Sequence, residues 1–293
     1  MQQATARFVL LGIPEDIGVR ANFGVAGAKT AWASALKAFL NIQSNQFLQG
    51  DEVLVLGHFE IEETGHQDIA QLRTRVAEID KLVEPVIAKI VECGKIPIVI
   101  GGGHNNALPI IAGVSKALKQ KINVVNMDAH ADVREVTEGR HSGNGFSNAI
   151  ANGFLNEYRV FGLHQSYVSK SLLAYMLDNQ VKTIYFEDIL FNEQSIKDCW
   201  INFTADLQEP CGLEIDLDSI ERVLSSAISP SGFALNDIRK ILLSNRKKFS
   251  YLHLCEGAIA LADGRTDFST GKAIAYLISD AAKALPPHTF QQP

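Results

Sequence analysis

Eight short apolar runs recur from one end of this chain to the other, and longer helix-like segments separate most of them. The runs are RFVLLGI, EVLVLGH, IPIVIGG, INVVNMD, YRVFGLH, KTIYFED, GLEIDLD and SYLHLCE. Rich in β-branched residues and leucine, they suit strands of a parallel sheet covered on both faces. Residues 26–40, 67–92, 105–118, 169–179, 195–207, 236–244 and 270–284 carry apolar side chains at helical spacing. The alternation predicts an α/β fold, and an open sheet or a closed eight-stranded barrel satisfies it equally. No Pro/Ser-rich linker, low-complexity run or internal repeat divides the 293 residues, so residues 1–293 are expected to form one domain.

Several function classes fall away on charge and composition. The net charge of -6, with lysines and arginines scattered, provides no footprint for nucleic acid. No segment approaches the roughly 18 uninterrupted apolar residues of a membrane span. The opening MQQATARFVLLGIPED is too brief for a secretory signal. Cys93, Cys199, Cys211 and Cys255 lie far apart and form no CxxC pair, so neither a zinc knot nor a disulfide framework is expected. The expectation is a reduced cytoplasmic protein.

In both candidate architectures ligands gather beyond the carboxyl ends of the strands. There the chain reads GGGHNN, DAHAD, DLDS and CEGA. Alternate residues of an extended chain face the same way, so Asp128, His130 and Asp132 can converge, as can Asp216 and Asp218. Ala129 and Ala131 leave room between them, and three glycines give His104 a tight path to the same edge. Four carboxylates in one pocket repel strongly: two like charges 4 Å apart cost about 4 kcal/mol at an effective dielectric of 20. Two divalent cations would balance them. Oxygen donors with some imidazole and no thiolate favour Mn2+ over structural zinc, and a metal pair can activate water for hydrolysis. Taken alone, Asp216 and Asp218 could also simply cap the segment that follows.

The set GGGH, DAHAD and DLD, in this order and over nearly the full chain, resembles the ureohydrolase superfamily of arginase, agmatinase and formimidoylglutamase. The resemblance implies a three-layer αβα sandwich with an eight-stranded parallel sheet. It also implies two Mn2+ ions per subunit and hydrolysis of a formimidoyl or guanidino C–N bond. Carried over by motif, the metal ligands are His104, Asp128, His130, Asp132, Asp216 and Asp218, with Asp128, Asp132 and Asp216 the shared carboxylates. A homo-oligomer and a small amidine or guanidine substrate are implied as well.

Within the superfamily, GIPEDIGVRANFGVAGA, GGGH and Arg134 resemble the formimidoylglutamase branch, whose substrate is N-formimidoyl-L-glutamate. Agmatinase, arginase and other guanidino-acid hydrolases are the alternatives. The loop HSGNGF is a hybrid, and Phe146 stands where arginases keep a proton-shuttling His, leaving His141 as the candidate substitute. SIER replaces the usual Asp-Pro after the last ligand pair. These departures make a catalytically silent metal-binding relative the alternative of another class. Two substrate carboxylates call for cationic anchors, which Arg20 and Arg134 could supply. Glu256 matches the carboxylate that holds the amidine, Asp132 is a candidate proton carrier, and Ser142 and Asn144 are candidate substrate contacts. The remaining histidines, His253 among them, are expected to be structural or solvated.

Overall fold

The structure, a computed structural model, describes residues 1–62, 68–192 and 194–284. His66 and His288, and the start of the helix expected over 67–92, lie outside the described residues. Eight parallel strands form one open sheet in the order β2-β1-β3-β8-β7-β4-β5-β6. They are β1 (Phe8–Gly12), β2 (Val53–His58), β3 (Ile96–Ile100), β4 (Ile122–Met127), β5 (Leu155–Leu163), β6 (Lys182–Tyr185), β7 (Cys211–Asp216) and β8 (Phe249–Cys255). The choice left by the sequence is thereby settled: β2 and β6 are free edges, so the sheet is not a barrel.

Among the described residues ten α-helices accompany the sheet: α1 (Ile17–Ala21), α2 (Ala31–Leu40), α3 (Ile69–Glu92), α4 (Ala107–Leu118), α5 (Gly145–Ala151), α6 (Lys170–Asp178), α7 (Phe186–Phe191), α8 (Ile196–Thr204), α9 (Leu235–Ser244) and α10 (Ser269–Ala284). Strand residues alternate between two cores. Phe8, Leu10, Val125 and Met127 pack with Trp32 of α2, Ile238 of α9 and Ile278 of α10. Val9, Leu11 and Val124 pack on the other side with Ile79 of α3, Ile110 of α4 and Phe146 of α5. The period-two alternation of each strand thus feeds two helical layers, which gives the three-layer αβα sandwich. No helix among the described residues is long and apolar enough to cross a membrane.

β3 and β4 follow one another in sequence but are separated in the sheet by β8 and β7. A cleft opens where neighbouring connections leave in opposite directions. The carboxyl ends of these four central strands lead into the four polar segments singled out in the sequence.

Candidate metal centre and substrate cavity

His104 reaches the cleft because Gly101 and Gly102 take positive φ of 84° and 77° directly after β3. A Cβ on Gly102 would stand 2.3 Å from Asn106 Nδ2 and 2.8 Å from Glu15 Oε1, so a side chain there would displace the loop. Glu15, fully buried, clamps that loop to the segment after β1. Its Oε1 accepts from Gly103 N (2.9 Å), Asn106 Nδ2 (2.7 Å) and Asn105 Nδ2 (3.2 Å). Its Oε2 accepts from Ile17 N (2.6 Å) and Gly18 N (3.1 Å). Burial raises its pKa, and the backbone and amide donors pull the other way.

The candidate ligand atoms expected from the sequence fall into two groups. His104, Asp128, Asp132 and Asp216 make an inner one; Asp128, His130 and Asp218 make an outer one, the donor atoms in each lying within 4.8 Å of one another. His104 Nδ1 lies 3.2 Å from Asp128 Oδ2, 2.8 Å from Asp132 Oδ2 and 3.1 Å from Asp216 Oδ2. It is nevertheless in hydrogen-bonding geometry with none of them. His130 Nδ1 lies 3.2 Å from Asp218 Oδ2 and 3.6 Å from Asp128 Oδ1. Only Asp128 belongs to both of these groups; Asp132 and Asp216, expected to be shared with it, belong to the inner group alone. Asp216 also caps the turn that follows, accepting from Asp218 N at 2.9 Å, so its capping and site-facing roles coexist.

Charge in this cluster needs a partner. Burial pushes the Asp216 carboxyl well above its ordinary range, and Asp218 and Asp128 push further. Burial and the neighbouring Asp128 raise Asp132. Burial disfavours charge on His130, but Asp218 and Asp128 raise its pKa overall. An array that draws in protons to offset its own carboxylates fits hard divalent cations: the donors are oxygen and imidazole nitrogen, and they converge without hydrogen-bonding one another at His104.

The cluster forms one wall of a cavity of about 290 Å³, whose lining includes His130, Asp132, Asp216, Asp218, Arg134 and Glu256. Glu256 follows β8 with φ of 62°, and its Oε1 accepts from His104 N at 2.9 Å. Burial raises its pKa to about 8. Arg134 donates from Nη1 to Asn22 Oδ1 (2.6 Å), and its Nη2 lies 3.0 Å from Glu138. Ser142, with Asn22 beside its Oγ at 3.3 Å, completes that side.

Three residues expected at the substrate are placed elsewhere. Arg20 sits in α1 against Asp16, 3.2 Å away, and does not line the cavity. Asn144 is fully buried: its Oδ1 accepts from Arg140 (2.8 Å) and His141 N (3.1 Å), and its Nδ2 donates to Gly139 O (2.6 Å). His141 lies behind the wall, with Nδ1 accepting from Gly143 N at 3.1 Å and Nε2 3.3 Å from Glu138. Burial lowers its pKa to about 4; Glu138 opposes this, and Arg134, Arg73 and Arg140 add to the lowering. A ring held neutral and out of the cavity is a poor proton shuttle. The cause is local: HSGNGF folds as a tight turn into α5, which turns His141 and Asn144 inward and leaves Ser142 and Gly143 at the surface of the cavity. Phe146 is also buried, edge-on to His104 with ring centroids 5.0 Å apart and stacked on Tyr158. It supports the His104 ring.

The arginase-family model matches residues 6–278. The chain belongs to the arginase family. This arginase-family hydrolase is 28% identical to the formimidoylglutamase of Geobacillus thermodenitrificans over 97% of its own length and 84% of that protein. Its fold is that of Trypanosoma cruzi formiminoglutamase with Mn2+ (TM-score 0.78, 18% identity, covering 96% of this chain and 95% of that one). It also matches Bacillus subtilis formimidoylglutamase (TM-score 0.78, 17% identity, 97% and 88%).

Three residues of the site lie outside the sequence expectations. Glu15 buttresses the His104 loop, Tyr167 stacks on His130 at the cavity wall with centroids 4.8 Å apart, and Glu214 stands behind His104. For the two acids signals were present: Glu15 directly follows the Gly12-Ile13-Pro14 segment, and Glu214 stands inside the apolar run GLEID.

Proposed function

We propose that this hydrolase cleaves N-formimidoyl-L-glutamate to glutamate and formamide with two Mn2+ ions. The observation that carries the reading is the pairing, across one cavity, of two donor groups sharing Asp128 with the Arg134 guanidinium on the adjoining wall. His104, Asp128, Asp132 and Asp216 would hold one ion, and Asp128, His130 and Asp218 the other. When bound, such a pair lowers the pKa of water and supplies hydroxide at neutral pH.

The chain's own residues do the positioning. Arg134 and Ser142 take the anionic end of the substrate, for which a planar guanidinium fork is well suited. Glu256, its Oε1 engaged by His104 N, offers its other carboxylate oxygen to the amidine N–H groups and holds the amidine carbon toward the ligand cluster. Asp132, at the cavity wall, carries a proton from the attacking water to the leaving nitrogen of glutamate. One water is consumed, the C–N bond to glutamate breaks, and the amidine carbon leaves as formamide. Similarity to formimidoylglutamases over nearly the whole chain supports this choice within the family.

The test is a substrate panel on the Mn2+-loaded protein: N-formimidoyl-L-glutamate, agmatine, arginine and 4-guanidinobutyrate. Formamide from the first is expected. Urea from a guanidino compound, with no formamide, would replace the substrate assignment, and no turnover on any of the four would point to a silent metal-binding relative.

A further inference from the structure

Leu213 and Ile215 of β7 and Leu252 and Leu254 of β8 pack into one apolar core, so the residues between them face the opposite layer. There stand Glu214 and His253, paired directly across the two strands and fully buried. Two such polar groups in the middle of a sheet are costly unless their hydrogen-bonding capacity is met. It is largely met here. Glu214 Oε1 accepts the Tyr251 hydroxyl at 2.7 Å, and Oε2 lies 2.6 Å from His253 Nδ1. Gly212 makes room for this, because a Cβ at that position would stand 2.0 Å from Cε1 of Tyr251. The same Oε2 lies 3.5 Å from Nε2 of His104, whose Nδ1 faces Asp128, Asp132 and Asp216. At that distance Nε2 is not yet hydrogen-bonded: it is a buried ring nitrogen whose hydrogen-bonding capacity is unmet, with the Glu214 carboxylate facing it.

We propose that Glu214, anchored by Tyr251 and His253, is a positioning residue that accepts the Nε2–H of His104 and thereby turns the Nδ1 lone pair toward the inner cation. A metal-bound imidazole commonly donates its second nitrogen to a carboxylate, which fixes both tautomer and ring orientation. His104, Glu214, His253 and Cys255 also bring donor atoms within 4.8 Å of one another, the spacing of a possible further ion site. The hydrogen-bonding distances at both oxygens of Glu214 favour the positioning role instead.

The inference rests on the two-cation reading. Its test is Mn2+ titration of the metal-free chain by calorimetry, for wild type, Glu214→Gln, His104→Ala and the double variant, with melting curves of the metal-free forms as a check on folding. A glutamine keeps the volume but has one acceptor oxygen to serve Tyr251, His253 and His104. We expect Glu214→Gln to weaken one of two Mn2+ ions about 10- to 100-fold and spare the other. In the His104→Ala background it should change nothing further. An unchanged titration for Glu214→Gln, or the same loss in both backgrounds, overturns the role. So does a third tightly held equivalent in wild type that Glu214→Gln and Cys255→Ala each remove. Should Glu214→Gln fail to fold, Tyr251→Phe removes one anchor and is expected to weaken the same ion by less; two wild-type affinities there would count against the role. Wild type that takes up no Mn2+ defeats the two-cation reading itself, whereas two ions with an unaffected Glu214→Gln defeat only this inference.

Discussion

His104 lies beneath the carboxyl edge of the sheet with its side chain 1% exposed, while His130 stands at the cavity mouth with its side chain 33% exposed. Phe146 meets the inner ring edge-on, Glu256 fixes its backbone N–H, and Glu214 faces its far nitrogen. The outer ring has Tyr167 stacked against it, itself 47% exposed, followed by His164 and Phe186 in a column of rings. The difference teaches how one strand-end motif, DAHAD, can serve two unequal half-sites. In the proposed centre the inner imidazole, His104, is enclosed by buried contacts, and the outer one, His130, is held by packing that solvent can reach. An open half-site next to a rigid one is the arrangement expected of a centre that must admit substrate on one side.

The comparison breaks most severely at the residue common to both halves. Asp128→Ala should lose both ions and bring turnover to background, measured by metal analysis after dialysis and by product assay. Below that, the two imidazoles should separate the halves. His104→Ala and His130→Ala are each expected to release one ion. Only the outer loss should be recovered by adding excess Mn2+, because the outer position is reached from solvent; recovery of both alike would remove the distinction. A ligand should cost more than the roughly 10- to 100-fold typical of its outer partners.

Smaller effects sharpen the contrast. An aromatic pair contributes about 0.5–1.5 kcal/mol beyond its burial, so Tyr167→Ala should weaken the outer ion about 2- to 10-fold and leave the inner one alone. Calorimetric titration resolves the two. The pH dependence follows from the raised acids. In the metal-free protein Glu256 has its pKa raised to about 8 from an ordinary 4.5, so folding takes up a proton there. That contribution to stability is complete below pH 4.5 and is lost as pH rises through about 8. Melting temperatures in EDTA should therefore fall between pH 6 and 8.5, and the stabilisation by Mn2+ should grow over the same interval. A metal-free protein that becomes more stable across it would contradict this. Last, Cys199, Cys211 and Cys255 are buried and burial raises the Cys211 thiol to about 12, while Cys93 is partly exposed. One thiol should react quickly with an aromatic disulfide reagent in the native protein, and four after denaturation.

The eight strands were legible because each carries a short run rich in β-branched, aromatic or leucine residues, and the longer helices because their apolar faces repeat at helical spacing. Whether the sheet closes depends on which strands pair, and nothing in an individual run specifies its neighbours. The convergence of the candidate ligands was legible for a different reason: an extended chain turns alternate residues to one face, so DAHAD and DLD carry their geometry in their spacing. The turn HSGNGF has no such periodicity. Its small and polar residues begin α5 without an apolar stripe, and the inward direction of His141 and Asn144 is set by Arg140, Gly139 and Gly143. The position of Arg20 was not legible because α1 is a five-residue helix, too short to show a period, and it seats the guanidinium on Asp16. Glu214 was hidden by its company: within GLEIDLD the aspartates are the conspicuous acids, although the glutamate two residues before Asp216 occupies the face that points beneath His104.

The most direct measurement of the central claim is the number of Mn2+ ions held per chain at equilibrium, in wild type and in Asp128→Ala. Two ions in wild type and none retained in the variant are predicted, because the four aspartates and two histidines coexist through cations that share Asp128. Wild type that holds no ion, or a variant that still holds two, would contradict the account.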